Sequence, residues 1–214
     1  MNAKLNIAIL VYPGVEMIDM NGPADVFLKA NNLTAGKYHI YTVAESPEPL
    51  GSEASLVTIT PAYTFENCPQ PDIIIIPGQI LSENPNQFGS GSDELINWLK
   101  GMSHKPGLTI MSVCIGAYIL ARTGLLAGKK ATTHYAAIAE IQTQYQDIHF
   151  VKNVRYVQDG NLVTTGGITS GIDGALHLIK KLDGPDIAQH VADIMVYNRE
   201  APLPPYTLLP PYNN

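Results

Sequence analysis

Charge is scarce in this chain. Only 15% of its 214 residues are Asp, Glu, Lys or Arg, and the formal net charge is −6. No basic cluster stands out: Lys129-Lys130 and Lys180-Lys181 are isolated pairs. Nucleic-acid binding therefore has little electrostatic support. No apolar stretch approaches membrane-spanning length, which argues against a membrane partner. Low-complexity tracts are absent and 45% of the residues are hydrophobic, so the chain reads as globular. Only two cysteines occur, Cys68 and Cys114. They have no metal-site spacing, and in a chain this long they read as free thiols of a cytoplasmic protein. The N-terminus enters a strand-like run directly, without the apolar core and small-residue cleavage site of a signal peptide. The glycine-rich stretch Gly166–Gly171 lacks both G-x-x-x-x-G-K-[ST] and G-x-G-x-x-G, so no phosphate loop is expected. Nothing calls for a cofactor.

What is present is a series of short apolar runs alternating with helical segments. Leu5–Val11, Tyr38–Ala44, Ile73–Ile76, Leu108–Val113 and Leu162–Thr165 read as strands. Leu56–Thr60 reads as an edge strand or hairpin arm. Val15–Ala30, Asp93–Met102, Ile115–Arg122, Ala136–Tyr145, Ile172–Leu182 and Pro185–Val196 read as helices, with Asp93 as an N-cap. Val154–Val157 and Leu162–Thr165 flank an Asp159-Gly160 turn signal and predict a hairpin. Ser82–Ser92 is polar and predicts an exposed loop. This alternation predicts an α/β three-layer sandwich with a mainly parallel central sheet. Residues 1–200 are expected to form one domain, and the proline-rich tail 201–214 to lie extended.

In such sheets, sites gather at the carboxyl ends of strands. Cys114 stands there, closing Leu108–Val113 and opening Ile115–Arg122. A cysteine at a strand-to-helix switch has the layout of a nucleophile elbow, and a helix N-terminus favours its thiolate. Pro77-Gly78 ends the isoleucine run, and Asp19 follows the first strand. Asp19 competes with a role as helix N-cap, and Glu16 with a role as a solvated loop carboxylate. His134 lies 20 residues beyond the cysteine. A Cys–His pair is a common way to activate a nucleophile. Cys68, His177 and His190 read as incidental.

Four ordered segments carry a family resemblance: YPGVEMIDMNGPADVF (Tyr12–Phe27), DIIIIPG (Asp72–Gly78), SVCIGAYILARTGLLAGKKATTHY (Ser112–Tyr135) and TTGGITSGIDGALHLI (Thr164–Ile179). The chain resembles the ThiJ/PfpI superfamily, related in fold to class I glutamine amidotransferase domains. Within it, the chain is similar to the branch of isonitrile hydratases and the amidase-like domains fused to AraC-type regulators. No helix-turn-helix region follows here, so the regulator expectation loses its DNA-binding half. The resemblance implies a flavodoxin-like fold, a homodimer, no metal, and a small-molecule substrate. It implies Cys114 as nucleophile, with Asp19 hydrogen-bonded to the sulfur, Glu16 close by and His134 near the thiol. Backbone amides of Gly78 and Ile115 would form an oxyanion hole, and Gln79, Gly167 and Thr169 would line the pocket. The chain departs from common patterns at Gln79, where relatives carry a second glycine, and at Ile115, where isonitrile hydratases carry threonine. The amide survives that second change and a hydroxyl is lost. The expected activity is hydration of an isonitrile to an N-substituted formamide. The alternatives are glyoxalase-like aldehyde chemistry and redox sensing through oxidation of Cys114. Peptidase activity ranks below these.

Overall fold

The apolar runs assemble side by side into one sheet. In a computed structural model that describes residues 4–79 and 91–198, its strands are β1 (Leu5–Leu10), β2 (Tyr38–Ala44), β5 (Tyr63–Thr64), β6 (Ile73–Ile76), β7 (Thr109–Val113), β10 (Tyr156–Asp159) and β11 (Leu162–Thr165). Their order is β10-β11-β7-β6-β1-β2-β5. All neighbours pair in parallel except β10 with β11. Strands covered on both faces read as continuous apolar runs. β6 and β11 accordingly have every residue buried.

Six helices lie among the described residues: α1 (Met17–Leu33), α2 (Asp93–Ser103), α3 (Gly116–Arg122), α4 (Ile138–Gln144), α5 (Ser170–Asp183) and α6 (Pro185–Ile194). α1, α5 and α6 pack against one another, and α2 packs against α3. This is the expected α/β three-layer sandwich, with a mainly parallel sheet between two helical layers. Among the described residues, two small sheets lie outside it. β3 (Leu50–Gly51) pairs antiparallel with β4 (Thr58–Ile59), which makes Leu56–Thr60 a hairpin arm. β8 (Lys130–Ala131) pairs with β9 (His149–Phe150).

The N-caps of two helices differ from the sequence expectation. Ser92, not Asp93, caps α2: its Oγ accepts from Leu95 N at 3.0 Å. α1 begins at Met17, because Glu16 takes the cap position and its carboxylate accepts from Asp19 N. Most of the expected Ser82–Ser92 loop and the tail 201–214 lie outside the described residues. Among the described residues no helix is long and apolar enough to cross a membrane.

The hairpin follows its turn signal. Asp159 pairs with Leu162 across a two-residue loop, with Gly160 at φ 63°. It returns the chain so that β11 runs beside β7, which carries the cysteine at its end.

Candidate active site

Cys114 is the residue at which β7 stops. It adopts φ 54°, in the left-handed region. A non-glycine residue held there costs about 1–3 kcal/mol and persists only where its surroundings impose it. The surroundings here are specific. Thr133 Oγ1 donates to the Cys114 carbonyl at 2.7 Å. Gly116, the first residue of α3, lies so close to β6 that an added Cβ would sit 2.5 Å from the Pro77 carbonyl oxygen. The elbow is thus pressed into the end of the isoleucine strand. Cys114 is only 5% exposed.

Asp19 arrives on the first turn of α1 and is 0% exposed. Its Oδ2 accepts from Gly78 N at 2.8 Å. Its Oδ1 is buried and has no hydrogen-bond partner. Gly78 is what brings acid and thiol together. A Cβ there would lie 2.6 Å from Asp19 Oδ2, 3.0 Å from Cys114 Cβ and 3.2 Å from Ile115 N. Any side chain would push the two groups apart.

Both groups are shifted by this setting. Burial pushes the Asp19 carboxyl well above the usual carboxylate range; Glu16 adds to the shift, and the Gly78 N–H opposes it. Burial likewise pushes the Cys114 thiol up, and negative charge on Asp19 would add to this. The backbone N–H groups of Ile115 and Ile168, directed at the sulfur, pull the other way. The helix-terminus argument for a lowered thiol pKa is therefore outweighed at rest by desolvation. A buried acid and thiol this close titrate as a pair.

Three expectations change. The Gly78 amide is spent on Asp19, so it is not a free oxyanion donor. The Ile115 amide is directed at the sulfur, together with that of Ile168, whose φ of 28° lies in the left-handed region. Asp19 makes no hydrogen bond to the sulfur: its Oδ2 accepts from Gly78 N, and its Oδ1 has no partner.

His134 comes close without pairing. An added Cβ at Gly167 would lie 2.8 Å from His134 Cδ2 and 3.1 Å from Cys114 Sγ, so Gly167 sits between ring and thiol. Gly167 itself has φ 107°, which favours glycine. No hydrogen bond joins the imidazole to Cys114, and its Nδ1 is buried without a partner. Burial lowers the His134 pKa, which keeps the ring neutral near pH 7. Glu16 is the helix cap described above rather than a solvated carboxylate. Gln79 and Tyr12 line a cavity of ≈ 470 Å³ that also touches Phe65 and Leu95. Thr169 is exposed and precedes α5 without a side-chain capping bond. Cys68 is a free thiol in a loop, His177 bonds Gln158, and His190 is exposed. Sequence reasoning missed Tyr12, Thr133 and Ile168. Among the described residues no cluster of three or more His, Cys, Asp or Glu side chains is placed to hold a metal.

A buried, left-handed cysteine between strand and helix, with a protonatable acid beside it, defines an α/β-sandwich protein of the nucleophile-elbow class. The profile of the DJ-1/PfpI family matches residues 5–181, and the chain belongs to that family. It is 33% identical over 213 residues to an isonitrile hydratase from Pseudomonas putida, covering 94% of this chain and 81% of that one. It is 28% identical over 198 residues to protein DJ-1alpha from Drosophila melanogaster, covering 90% of this chain and 84% of that one. Among solved structures, a ThiJ/PfpI family protein from Pseudomonas syringae superposes with a TM-score of 0.75 at 30% identity, covering 96% of this chain and 78% of that one.

Proposed function

We propose that the protein is a cysteine-dependent enzyme that hydrates an isonitrile to an N-substituted formamide, a lyase reaction. Cys114 is the nucleophile and Asp19 the general acid and base. One observation carries the reading: Asp19 Oδ1 is fully buried beside the thiol and unpartnered. A buried polar atom without a partner requires an explanation, and a substrate or an attacking water supplies it. The likeness to the isonitrile hydratase of Pseudomonas putida supports the choice of substrate class.

The chemistry balances on these residues. The sulfur adds to the terminal isonitrile carbon, and the thiol hydrogen ends on that carbon, giving a thioimidate. Water adds to the same carbon while the nitrogen takes a proton. The C–S bond then breaks as the new hydroxyl loses its proton, which returns to the sulfur. The formamide leaves and the thiol is restored, with no net oxidation. Asp19 relays protons in the last two steps. The amides of Ile115 and Ile168 hold negative charge on sulfur as the C–S bond forms and breaks. A raised thiol pKa suits this route, because the thiol proton is itself consumed in the addition. Two free thiols also suit a reducing, cytoplasmic setting.

Redox sensing uses the same unpartnered oxygen differently. Peroxide would convert Cys114 to a sulfinic acid, whose oxygens accept from protonated Asp19. The higher identity to the isonitrile hydratase, 33% against 28% to protein DJ-1alpha, ranks the enzyme ahead of this second reading.

The two readings separate in one assay pair. Purified protein mixed with cyclohexyl isocyanide should release the formamide, and Cys114→Ser should lower the rate by about 10³-fold or more. Mass spectrometry after mild peroxide should leave Cys114 largely reduced. No formamide from the wild-type protein, together with stoichiometric sulfinic acid at Cys114, would reverse the ranking.

A further inference from the structure

Tyr12 sits where β1 ends, and its ring lines the ≈ 470 Å³ cavity. Its hydroxyl donates to the Pro77 carbonyl oxygen. That oxygen and the Gly78 N–H belong to one planar peptide unit and point in opposite directions across it. The Gly78 N–H donates to Asp19 Oδ2 at 2.8 Å. A single peptide plane is therefore held at one edge by Tyr12 and offers its other edge to the acid. The flanking backbone joins the same arrangement, since Glu16 N donates to Gly78 O at 3.0 Å and Val15 N to Tyr12 O at 3.1 Å.

We propose that Tyr12 is a positioning residue for Asp19. Its hydroxyl locks the Pro77–Gly78 peptide so that an N–H, rather than a carbonyl, faces the carboxyl. This assigns Oδ2 as the fixed acceptor and leaves Oδ1 as the oxygen that handles protons. If the peptide turned over, the Pro77 carbonyl would face Asp19 and require the carboxyl to stay protonated. Tyr12 thereby decides whether Asp19 can act as a base as well as an acid. Its consequence for turnover rests on the isonitrile hydratase reading; its effect on the carboxyl does not.

The charged and titratable groups around Asp19 come from every side of the site. Glu16 lies at the entry to α1, Glu53 in the Glu53–Ser55 turn, Cys114 on the elbow and Tyr12 itself after β1. Of these, Glu16 and Glu53 hold the Asp19 proton on, and the Gly78 N–H opposes them. Burial, then Asp19 and Cys114, push the Tyr12 phenol well above its usual range, so it remains a donor throughout the working pH.

Tyr12→Phe tests this, since it keeps the ring and the cavity wall and removes only the hydroxyl. Two measurements read the mechanism directly. Infrared difference spectra against Asp19→Asn follow the protonated carboxyl of Asp19 as a function of pH. Amide exchange by NMR follows Gly78. In Tyr12→Phe the Asp19 titration should move upward, and Gly78 exchange should accelerate about tenfold, the equivalent of one ordinary hydrogen bond. With an isonitrile substrate, kcat should fall more than KM rises. An Asp19 titration and a Gly78 exchange rate both equal to wild type would overturn the proposal, whatever happens to the melting temperature. If Tyr12→Phe does not fold, 3-fluorotyrosine introduced at position 12 gives a stronger donor. Gly78 exchange should then slow and the Asp19 titration move downward; no change in either would equally overturn it.

Discussion

Asp19→Asn is expected to lower isonitrile hydration by about 10²–10⁴-fold, the usual worth of a positioned acid or base. The same change should raise the melting temperature at pH 8 and leave it nearly unchanged at pH 4. The two effects have one origin. Asp19 is 0% exposed, and burial and the Glu16 carboxylate push its folded pKa well above the usual value. A carboxyl shifted in that direction binds its proton more tightly in the folded state than in the unfolded chain. At pH below about 4, the ordinary carboxylate range, both states are protonated and no penalty is felt. As pH rises from there toward the folded pKa, the unfolded chain ionises first and stability is lost.

Asparagine mimics the protonated acid. Its carbonyl oxygen can still accept from Gly78 N, and its NH₂ takes the place of the unpartnered Oδ1. The gain in melting temperature should therefore widen as pH rises from about 4 and level off once pH passes the raised folded pKa of Asp19, with each kcal/mol relieved worth about 2–4 °C in a chain of this size. Scanning calorimetry of both proteins across that range measures it. Parallel curves would mean that Asp19 titrates at an ordinary pKa, and the case for it as a stored proton source would fall. The trade of stability for a strained or uncompensated site is common in enzymes. Cys114 at φ 54° is a second instance in the same few ångströms.

The fold was largely legible because its strands are covered on both faces. Four consecutive isoleucines admit little else, and Ile73–Ile76 and Tyr38–Ala44 match their predicted limits. Short paired segments such as Leu50–Gly51 and Lys130–Ala131 carry no periodicity, since two residues cannot show one. α1 starts two residues later than its expected Val15 because its cap is unusual. Glutamate is a poor prior for an N-cap, yet Glu16 fills that position because its carboxylate reaches the Asp19 N–H at 2.6 Å.

In the site, side-chain chemistry was readable and backbone chemistry was not. Cys114 and Asp19 announce themselves by type and place in the chain. The amide of Ile168 has no signature, because an isoleucine in a glycine-rich turn looks like packing. Gly78 was recognised as close to the reacting groups, but which acceptor its N–H serves depends on a peptide orientation. That orientation is set by Tyr12, a residue that in sequence is one aromatic among 11 tyrosines. His134 shows the converse. Its spacing from Cys114 suggested a pair, and the intervening Gly167 backbone keeps the ring off the sulfur.

Glycine-to-alanine substitutions on two helices should have opposite signs. At Gly101 in α2, an added Cβ meets nothing within 4 Å. Gly101→Ala should stabilise by about 0.5–1 kcal/mol through reduced backbone freedom in the unfolded chain. At Gly116 the added Cβ would press on two backbone oxygens, those of Ile76 and Pro77. Backbone at the end of a central strand cannot swing aside as a side-chain tip can. Gly116→Ala should destabilise by roughly 3 kcal/mol, at the upper end of overpacking costs, and lower the melting temperature by about 6–12 °C. The damage should reach beyond stability. Any retreat of the Pro77 carbonyl from α3 tilts the peptide that carries the Gly78 N–H, and with it the hydrogen bond to Asp19. Turnover measured at low temperature, where Gly116→Ala remains folded, should therefore fall by at least about tenfold, the worth of one misaligned hydrogen bond. Gly101→Ala should turn over like wild type. Equal melting temperatures for Gly116→Ala and wild type would show that the elbow does not rest on β6, and the close approach that holds Cys114 beside Asp19 would have to be drawn differently.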